Sequence, residues 1–540
     1  MKSTVKILLQ NRILVVIFLL YFISRAGGAF FFIPHNDEVN YAHIAMKMAR
    51  DWEANRYLSV NGELNYDYKM PLQFWANSLT INLWKNPLVS VRLWSILMGF
   101  CGLFFTQLLV AYLWNKTAAL WAAGMIVVSE YYLYFDSIGL TEAFLYGLGA
   151  AYLFFLYYTL LHRSWLTGFL TILFLSALLI SKSSGTYWLL FACLFPWLAV
   201  TENNTTLHQI GETFKKECFR LFMIVLGTYF VAKGAVSFLI PDRYDDVEAA
   251  SFQKGLVRSF SELLEFPFAA WIANLKFYGT LLFLDVFYWL VPLLGLSLLT
   301  IFWLWKQKNP FLWRYLILIG ICLTSFLPLV LIAKGQAVRY FGMGLYFFYI
   351  PNAIALYLCW EKCSPRIKKA LGLVFFLMIV WWKISYTWKP LINWGQTDLV
   401  LKETPPGWAN GAGIMKLLDA ISKLAPGVML VDSQWGFPLT AIQIFYKYYP
   451  QLDIHHLNPE NLENLRQIYQ QSKHGNQNLY FVADARKVGD RPSIDKIINT
   501  ALLCTPKTII QKKYQDQTFE GTSLVICQAK AIPASIKVVR

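Results

Sequence analysis

Long apolar runs recur along this chain at the length that crosses a lipid bilayer, and that feature removes most other folds. A spanning helix takes roughly 20 predominantly apolar residues, and on that scale about eleven segments qualify. They begin near Ile13, Leu93, Ala118, Ala143, Leu166, Thr186, Leu221, Leu275, Leu312, Phe341 and Leu371. The composition agrees: of 540 residues, 57% are hydrophobic and only 15% charged. A soluble protein carries roughly 45–50% apolar and about 25% charged residues. One water-soluble core stops growing near ~250–300 residues, so it cannot hide this much apolar surface. A soluble enzyme, a disordered chain and a disulfide scaffold are excluded. The expected fold is an all-α polytopic membrane domain over residues 1–390 and a soluble α/β domain over 391–540.

Lys and Arg total 48 against 32 Asp and Glu, a net charge of +16. In a soluble protein that excess would point to nucleic acid. Here the cations gather in alternate short loops: Lys2, Lys6 and Arg12; Lys116; Arg163; Lys215, Lys216 and Arg220; Lys306, Lys308 and Arg314; Lys362, Arg366, Lys368 and Lys369. Short basic loops stay on the cytoplasmic side. The chain is therefore expected to begin inside and end outside, with membrane lipids and no nucleic acid as partners. The first apolar run continues to about Ile33 and is followed by further spans, so it reads as a retained helix and not as a cleaved signal.

Two outer loops are long, residues 34–90 and 241–274. Between Asn36 and Trp52 the apolar residues Val39, Ala42, Ala45, Met46 and Ala49 recur at helical spacing. That pattern predicts a helix along the membrane surface. Beyond about Trp388 the texture changes to short β-rich runs (Val428–Val431, Asn478–Val482, Lys507–Lys512, Ser523–Cys527) and polar helical stretches (Asn461–Gln471, Ile494–Ala501). This alternation predicts an exported domain of βαβ type. It carries neither G-x-G-x-x-G nor a P-loop, so nothing there speaks for nucleotide binding. Cys504 and Cys527 are its two cysteines, a pair that an oxidising compartment could join or leave as thiols.

The strong polar groups sit mainly at outer span ends and in outer loops. They are His35-Asn36-Asp37-Glu38, Tyr66-Asp67-Tyr68-Lys69, Asp136, Thr141-Glu142, Ser181-Lys182-Ser183, Lys334-Gly335-Gln336 and Arg339-Tyr340. A transporter would instead hold charges at midplane, facing a pathway. Lys and Arg bind phosphate, while carboxylates act as general base or hold a divalent metal. At headgroup depth this mix suits a lipid-phosphate donor whose head group passes to a hydroxyl outside the cell, where no nucleotide donor is at hand. Tyr66, Tyr68 and Trp75 could stack on a sugar ring, or could form an interfacial aromatic belt.

These segments resemble a known family. Asp37-Glu38-Val39-Asn40-Tyr41-Ala42 is similar to the D-E-x-x-Y-A that opens the first outer loop of the dolichyl-phosphate-mannose protein mannosyltransferase superfamily. The nearest pattern is the bacterial branch containing the lipid A aminoarabinose transferases. Tyr66-Asp67-Tyr68-Lys69-Met70-Pro71-Leu72-Gln73-Phe74-Trp75 resembles that branch's Y-F-E-K-P-P-L-x-Y-W, and Val91-Arg92-Leu93-Trp94-Ser95 its x-R-L-x-S. Thr141-Glu142 stands where the family has its second acid; Ser181-Lys182 and Arg339-Tyr340 match its T/S-K-G and R-Y-x-L. The resemblance implies a C-type glycosyltransferase of the bacterial inner membrane. It would take sugar from a polyprenyl monophosphate and attach it, with inversion, to a lipid, glycan or protein on the outer face. Carried over residue by residue, Asp37 is the catalytic carboxylate with Glu38 in support. Glu142 is the second acid, Asp136 its rival, and Asp37 and Glu142 are the candidate ligands of a divalent metal ion. Lys69, Lys182 and Arg339 would hold the donor phosphate. Tyr66, Tyr68, Trp75, Tyr340 and Lys334 would line the substrate.

The chain departs from the pattern at Tyr68, Met70 and Ser183, which bears on the substrate more than on the reaction. Each residue also has a plainer role to compare: Asp37 as a helix cap, Lys69 and Lys182 as snorkelling anchors. Arg25 is expected to pair with a nearby acid, and Asp285 stands out as an intramembrane carboxylate. His43 and His455-His456 read as ordinary surface residues. Two other classes remain in view, a sugar-lipid flippase and a non-catalytic envelope assembly subunit.

Overall fold

The computed structural model describes residues 12–31, 35–56, 71–84, 86–202, 206–239, 258–285, 290–334, 336–366, 414–432, 451–457, 478–486, 504–514 and 517–529. They fall into two compact units: Met1–Phe32, Asp51–Asn77 and Arg92–Glu403 form one, and Ile33–Arg50, Ser78–Val91 and Thr404–Arg540 the other.

The helices of eight residues or more are α1 (Arg12–Phe31), α2 (Asn36–Arg50), α3 (Leu72–Thr80), α4 (Pro87–Leu113), α5 (Lys116–Val128), α6 (Glu130–Ser137), α7 (Glu142–His162), α8 (Trp165–Leu179), α9 (Leu207–Leu239), α10 (Phe268–Asp285), α11 (Leu290–Lys306), α12 (Leu312–Leu327), α13 (Gly342–Lys362) and α14 (Ile414–Ser422). Among the described residues six helices are long and apolar enough to cross a membrane, or seven if the bent pair α5–α6 is one span. The expected count of about eleven is therefore not reached there, and the run expected from Leu371 lies outside the described residues. The single span expected from Leu275 is replaced by α10 and α11, and Asp285 is the last residue of α10.

In the first unit α7 is the central helix, with 83% of its apolar window buried, against 22% for α9. Close crossing makes this possible: a Cβ on Gly147 would lie 2.3 Å from the Met98 carbonyl oxygen of α4. The outer helices keep apolar side chains bare, Phe238 being 91% exposed, as a lipid-facing surface requires. The α5–α6 span is bent by 65°. Ser129 makes the break, its hydroxyl accepting from the Tyr132 N–H at 3.3 Å as an N-cap for the second half.

In the second unit, helix α2 forms where the apolar spacing placed it, burying Val39, Ala42, Ala45 and Met46. Strands β1 (Gly427–Asp432), β2 (Leu452–Leu457), β3 (Asn478–Arg486), β4 (Cys504–Tyr514) and β5 (Gln517–Ala529) make a five-stranded sheet in the order β2-β1-β3-β5-β4. β1 runs parallel to β2 and β3, and β5 antiparallel to β3 and β4. The inner strands carry the core, Val428, Met429, Leu479, Tyr480 and Val482. The sequence missed β2, whose Leu-Asp-Ile-His-His-Leu breaks apolar alternation with two histidines at an edge position. Cys504 stands opposite Ala529 and Cys527 opposite Pro506 in the β4–β5 register, and their side chains lie outside the described residues. The helical stretches expected at Asn461–Gln471 and Ile494–Ala501 also lie outside them.

Candidate active site

Four segments far apart in sequence meet at the N-terminal end of α7. Glu142 opens that helix and is buried. Its Oε1 accepts from Lys182 Nζ at 2.7 Å, the two side chains being 4% and 16% exposed. Lys182 follows α8, where the Ser181 hydroxyl donates to the Ala177 carbonyl at 2.7 Å and completes the last helical turn. A 3-10 turn, Ser183–Thr186, then folds back on the helix end. Gly185 permits this, because a Cβ there would stand 2.6 Å from the Leu178 carbonyl oxygen.

The Lys182 ammonium also lies 5.6 Å from the centre of the Tyr340 ring, at cation–π range. Arg339 precedes it in the 3-10 turn Val338–Tyr340, and its charge adds to that of Lys182 in acting on Glu142. The segment Pro71-Leu72-Gln73 joins them through the neighbouring backbone. The Leu72 N–H donates to the Ile180 carbonyl at 3.1 Å, and Gln73 Nε2 to the Gly139 carbonyl at 2.8 Å. These bonds tie Pro71-Leu72-Gln73 to both strands of chain that carry Lys182 and Glu142. Lys69, Tyr66 and Tyr68, expected as a donor-phosphate group and sugar platform, lie outside the described residues. Trp75 is described: its indole N–H donates to the Arg56 carbonyl at 2.7 Å and its ring lies 6.1 Å from that of Trp52.

Asp136, the rival of Glu142, sits elsewhere. It is wholly buried, 3.6 Å from Arg25 Nε, and accepts from the Tyr21 hydroxyl at 3.1 Å. Arg25 was expected to find a nearby acid; the acid comes from another span. Lys334, expected at the substrate, is ion-paired with Glu262 at 2.7 Å. That pairing, with the Ser259 backbone N–H, pulls the Glu262 carboxyl down to about 2. Around it the Trp271 indole, Asn274 and Arg258 donate to carbonyls of 330–333, holding the segment that leads to Arg339. Sequence reasoning missed these clasp residues, whose partners are backbone carbonyls and so leave no pattern.

In the second unit, Asp37 and Glu38 occupy the first turn of α2. The helix start is capped by Glu38, whose Oε2 accepts from the His35 backbone N–H at 3.1 Å, while Asp37 is half-buried beside it and its N–H donates to His35 Nδ1 at 3.1 Å. Among the described residues no three His, Cys, Asp or Glu side chains gather as a metal-holding group. Of the two candidate ligands, Glu142 is bonded through Oε1 to Lys182.

The sequence matches no family model and no curated protein. Its structure is similar to ArnT from Cupriavidus metallidurans bound to undecaprenyl phosphate, with a TM-score of 0.51 at 12% identity, over 96% of this chain and 97% of that one. The apo form of ArnT from the same organism aligns with a TM-score of 0.50 at 13% identity, covering 98% of each chain. The fold of this chain is thus similar to that of ArnT over nearly the whole length of both chains.

Proposed function

We propose that the chain is a membrane glycosyltransferase that takes a sugar from a polyprenyl monophosphate. It passes the sugar to a hydroxyl of a lipid, glycan or protein on the outer face of a bacterial inner membrane. The observation that carries this reading is the meeting of Pro71-Leu72-Gln73, Glu142, Lys182 and Arg339-Tyr340 within one fold similar to that of ArnT. The alternating basic loops support the orientation.

In this reading Lys182 and Arg339 receive the donor phosphate, Lys182 as a point charge and Arg339 as a fork. Lys69 adds a third cation. Glu142 keeps the Lys182 ammonium aimed at a largely enclosed position, where an unpaired ammonium would be costly. Asp37, assigned from its motif alone, is the base that takes the proton of the acceptor hydroxyl as its oxygen attacks the anomeric carbon. The anomeric C–O bond to phosphate then breaks from the opposite face, and polyprenyl phosphate leaves with the electron pair, held by the cations. Attack opposite to departure inverts the anomeric centre. Asp136 and Arg25, paired with each other away from these residues, support the fold.

Asp37→Asn tests the reading. Purified, folded and inserted in membranes, it is expected to transfer no sugar from a polyprenyl-phosphate donor, and transfer at the normal rate would remove the assignment. The acceptor class is read by mass spectrometry of lipid A, surface glycans and envelope proteins from a deletion strain.

A further inference from the structure

The bent span carries more than a packing role. Breaking a helix leaves its last carbonyls without partners, and inside a membrane water does not reach them. Here Arg25 of α1 fills the break at the end of α5, donating from Nη1 to the Val127 carbonyl at 2.7 Å and from Nη2 to the Ile126 carbonyl at 3.1 Å. The same guanidinium faces Asp136 in the last turn of α6. Tyr21 shares its hydroxyl between Asp136 Oδ2 at 3.1 Å and the Ile96 carbonyl at 3.0 Å. Gly99 of α4 leaves the room, since a Cβ there would stand 2.3 Å from both the Tyr21 hydroxyl and Asp136 Cγ. Arg25 thus pins the end of α5 before the break and the last turn of α6 after it.

Between those pins α6 carries two tyrosines that reach the donor side of the site. The Tyr131 hydroxyl donates to the Arg339 carbonyl at 2.7 Å, and the Tyr132 hydroxyl to the Gly342 carbonyl at 2.9 Å. The approach is close: a Cβ on Gly342 would lie 2.5 Å from the Tyr131 ring. These bonds hold the turn that presents Arg339 and Tyr340 beside Lys182. We infer that Tyr131 and Tyr132 are positioning residues for donor phosphate, acting through the Arg339 turn from a half-helix locked by Arg25, Asp136 and Tyr21.

The inference rests on the proposed donor role of Lys182 and Arg339, and the test separates the two. Full-length protein in detergent is titrated with undecaprenyl phosphate and, as the uncharged control, undecaprenol. Wild type is expected to prefer the phosphate, and Lys182→Ala to lose that preference. Tyr131→Phe with Tyr132→Phe is expected to weaken undecaprenyl phosphate roughly three- to ten-fold, the worth of one or two hydrogen bonds, with undecaprenol unchanged. Gly342→Ala, which crowds the Tyr131 ring, should weaken the same ligand selectively. An unchanged phosphate preference in the double variant, or an equal loss for both lipids, overturns the positioning role alone. A wild type that binds both lipids equally overturns the donor site itself.

Discussion

Two buried acids six positions apart in the sequence, Asp136 and Glu142, each face a cation, and the surroundings give them different work. Asp136 and Arg25 are sealed at 1% and 0% exposure, with Tyr21 on one side and helix-end carbonyls on the other. Glu142 and Lys182 form a shorter contact, yet Lys182 keeps 16% of its side chain exposed and lies beside the Tyr340 ring. The first pair closes a break in a helix. The second leaves its cation partly open to the surroundings. Composition and spacing do not separate them; what packs around each does.

The largest effect expected from this contrast is on stability. Asp136→Ala leaves the Arg25 charge buried and uncompensated, at a cost of about 3–5 kcal/mol. Thermal unfolding in detergent should show it, and an unchanged melting temperature would break the contrast. Glu142→Gln should act the other way, with transfer falling roughly 10²–10³-fold as an electrostatic group is lost. Its melting temperature should move little, because glutamine still accepts from Lys182. Equal stability losses in the two variants would mean that both acids are structural.

Arg25→Leu combined with Asp136→Leu sharpens the first half. Replacing a buried ion pair by apolar residues is often neutral. The double variant should therefore recover most of the loss, leaving about 1–3 kcal/mol for the helix-end carbonyls that Arg25 satisfied. Full recovery would show that the carbonyl bonds add nothing.

The smallest effect is expected at the exposed Lys334–Glu262 pair. The Glu262 carboxyl is depressed to about 2, so its stabilising contribution is present above the ordinary carboxylate range and is lost as pH falls through about 2. Wild type and Glu262→Gln should differ slightly and by a constant amount from neutral pH to about 5, converging at lower pH. A difference that grows on acidification would contradict the sign.

Much of the architecture was legible before any coordinates. The α2 periodicity, the starts of α1, α5, α7, α8 and α12, and four of the five strands follow from apolar spacing and β-rich runs. So did the motif residues Glu142, Lys182 and Arg339, because charged groups at span ends stand out against apolar neighbours. The single span expected from Leu275 failed because apolar length does not say where a helix is interrupted. The bend at Ser129 was hidden for the same reason, since Ser129 fits a helix interior as well as a cap.

The sequence by itself determined a polytopic membrane chain, its charge asymmetry and the small set of polar residues at span ends. Hydrophobic length and charge are properties of each segment, needing no partner to be read. Only the tertiary structure decided which acid meets which cation, because pairing depends on spans that cross far from one another in sequence. Gly99 and Gly147 show the reason most plainly. Each is unremarkable in the sequence, and each matters because another helix approaches too closely for a Cβ.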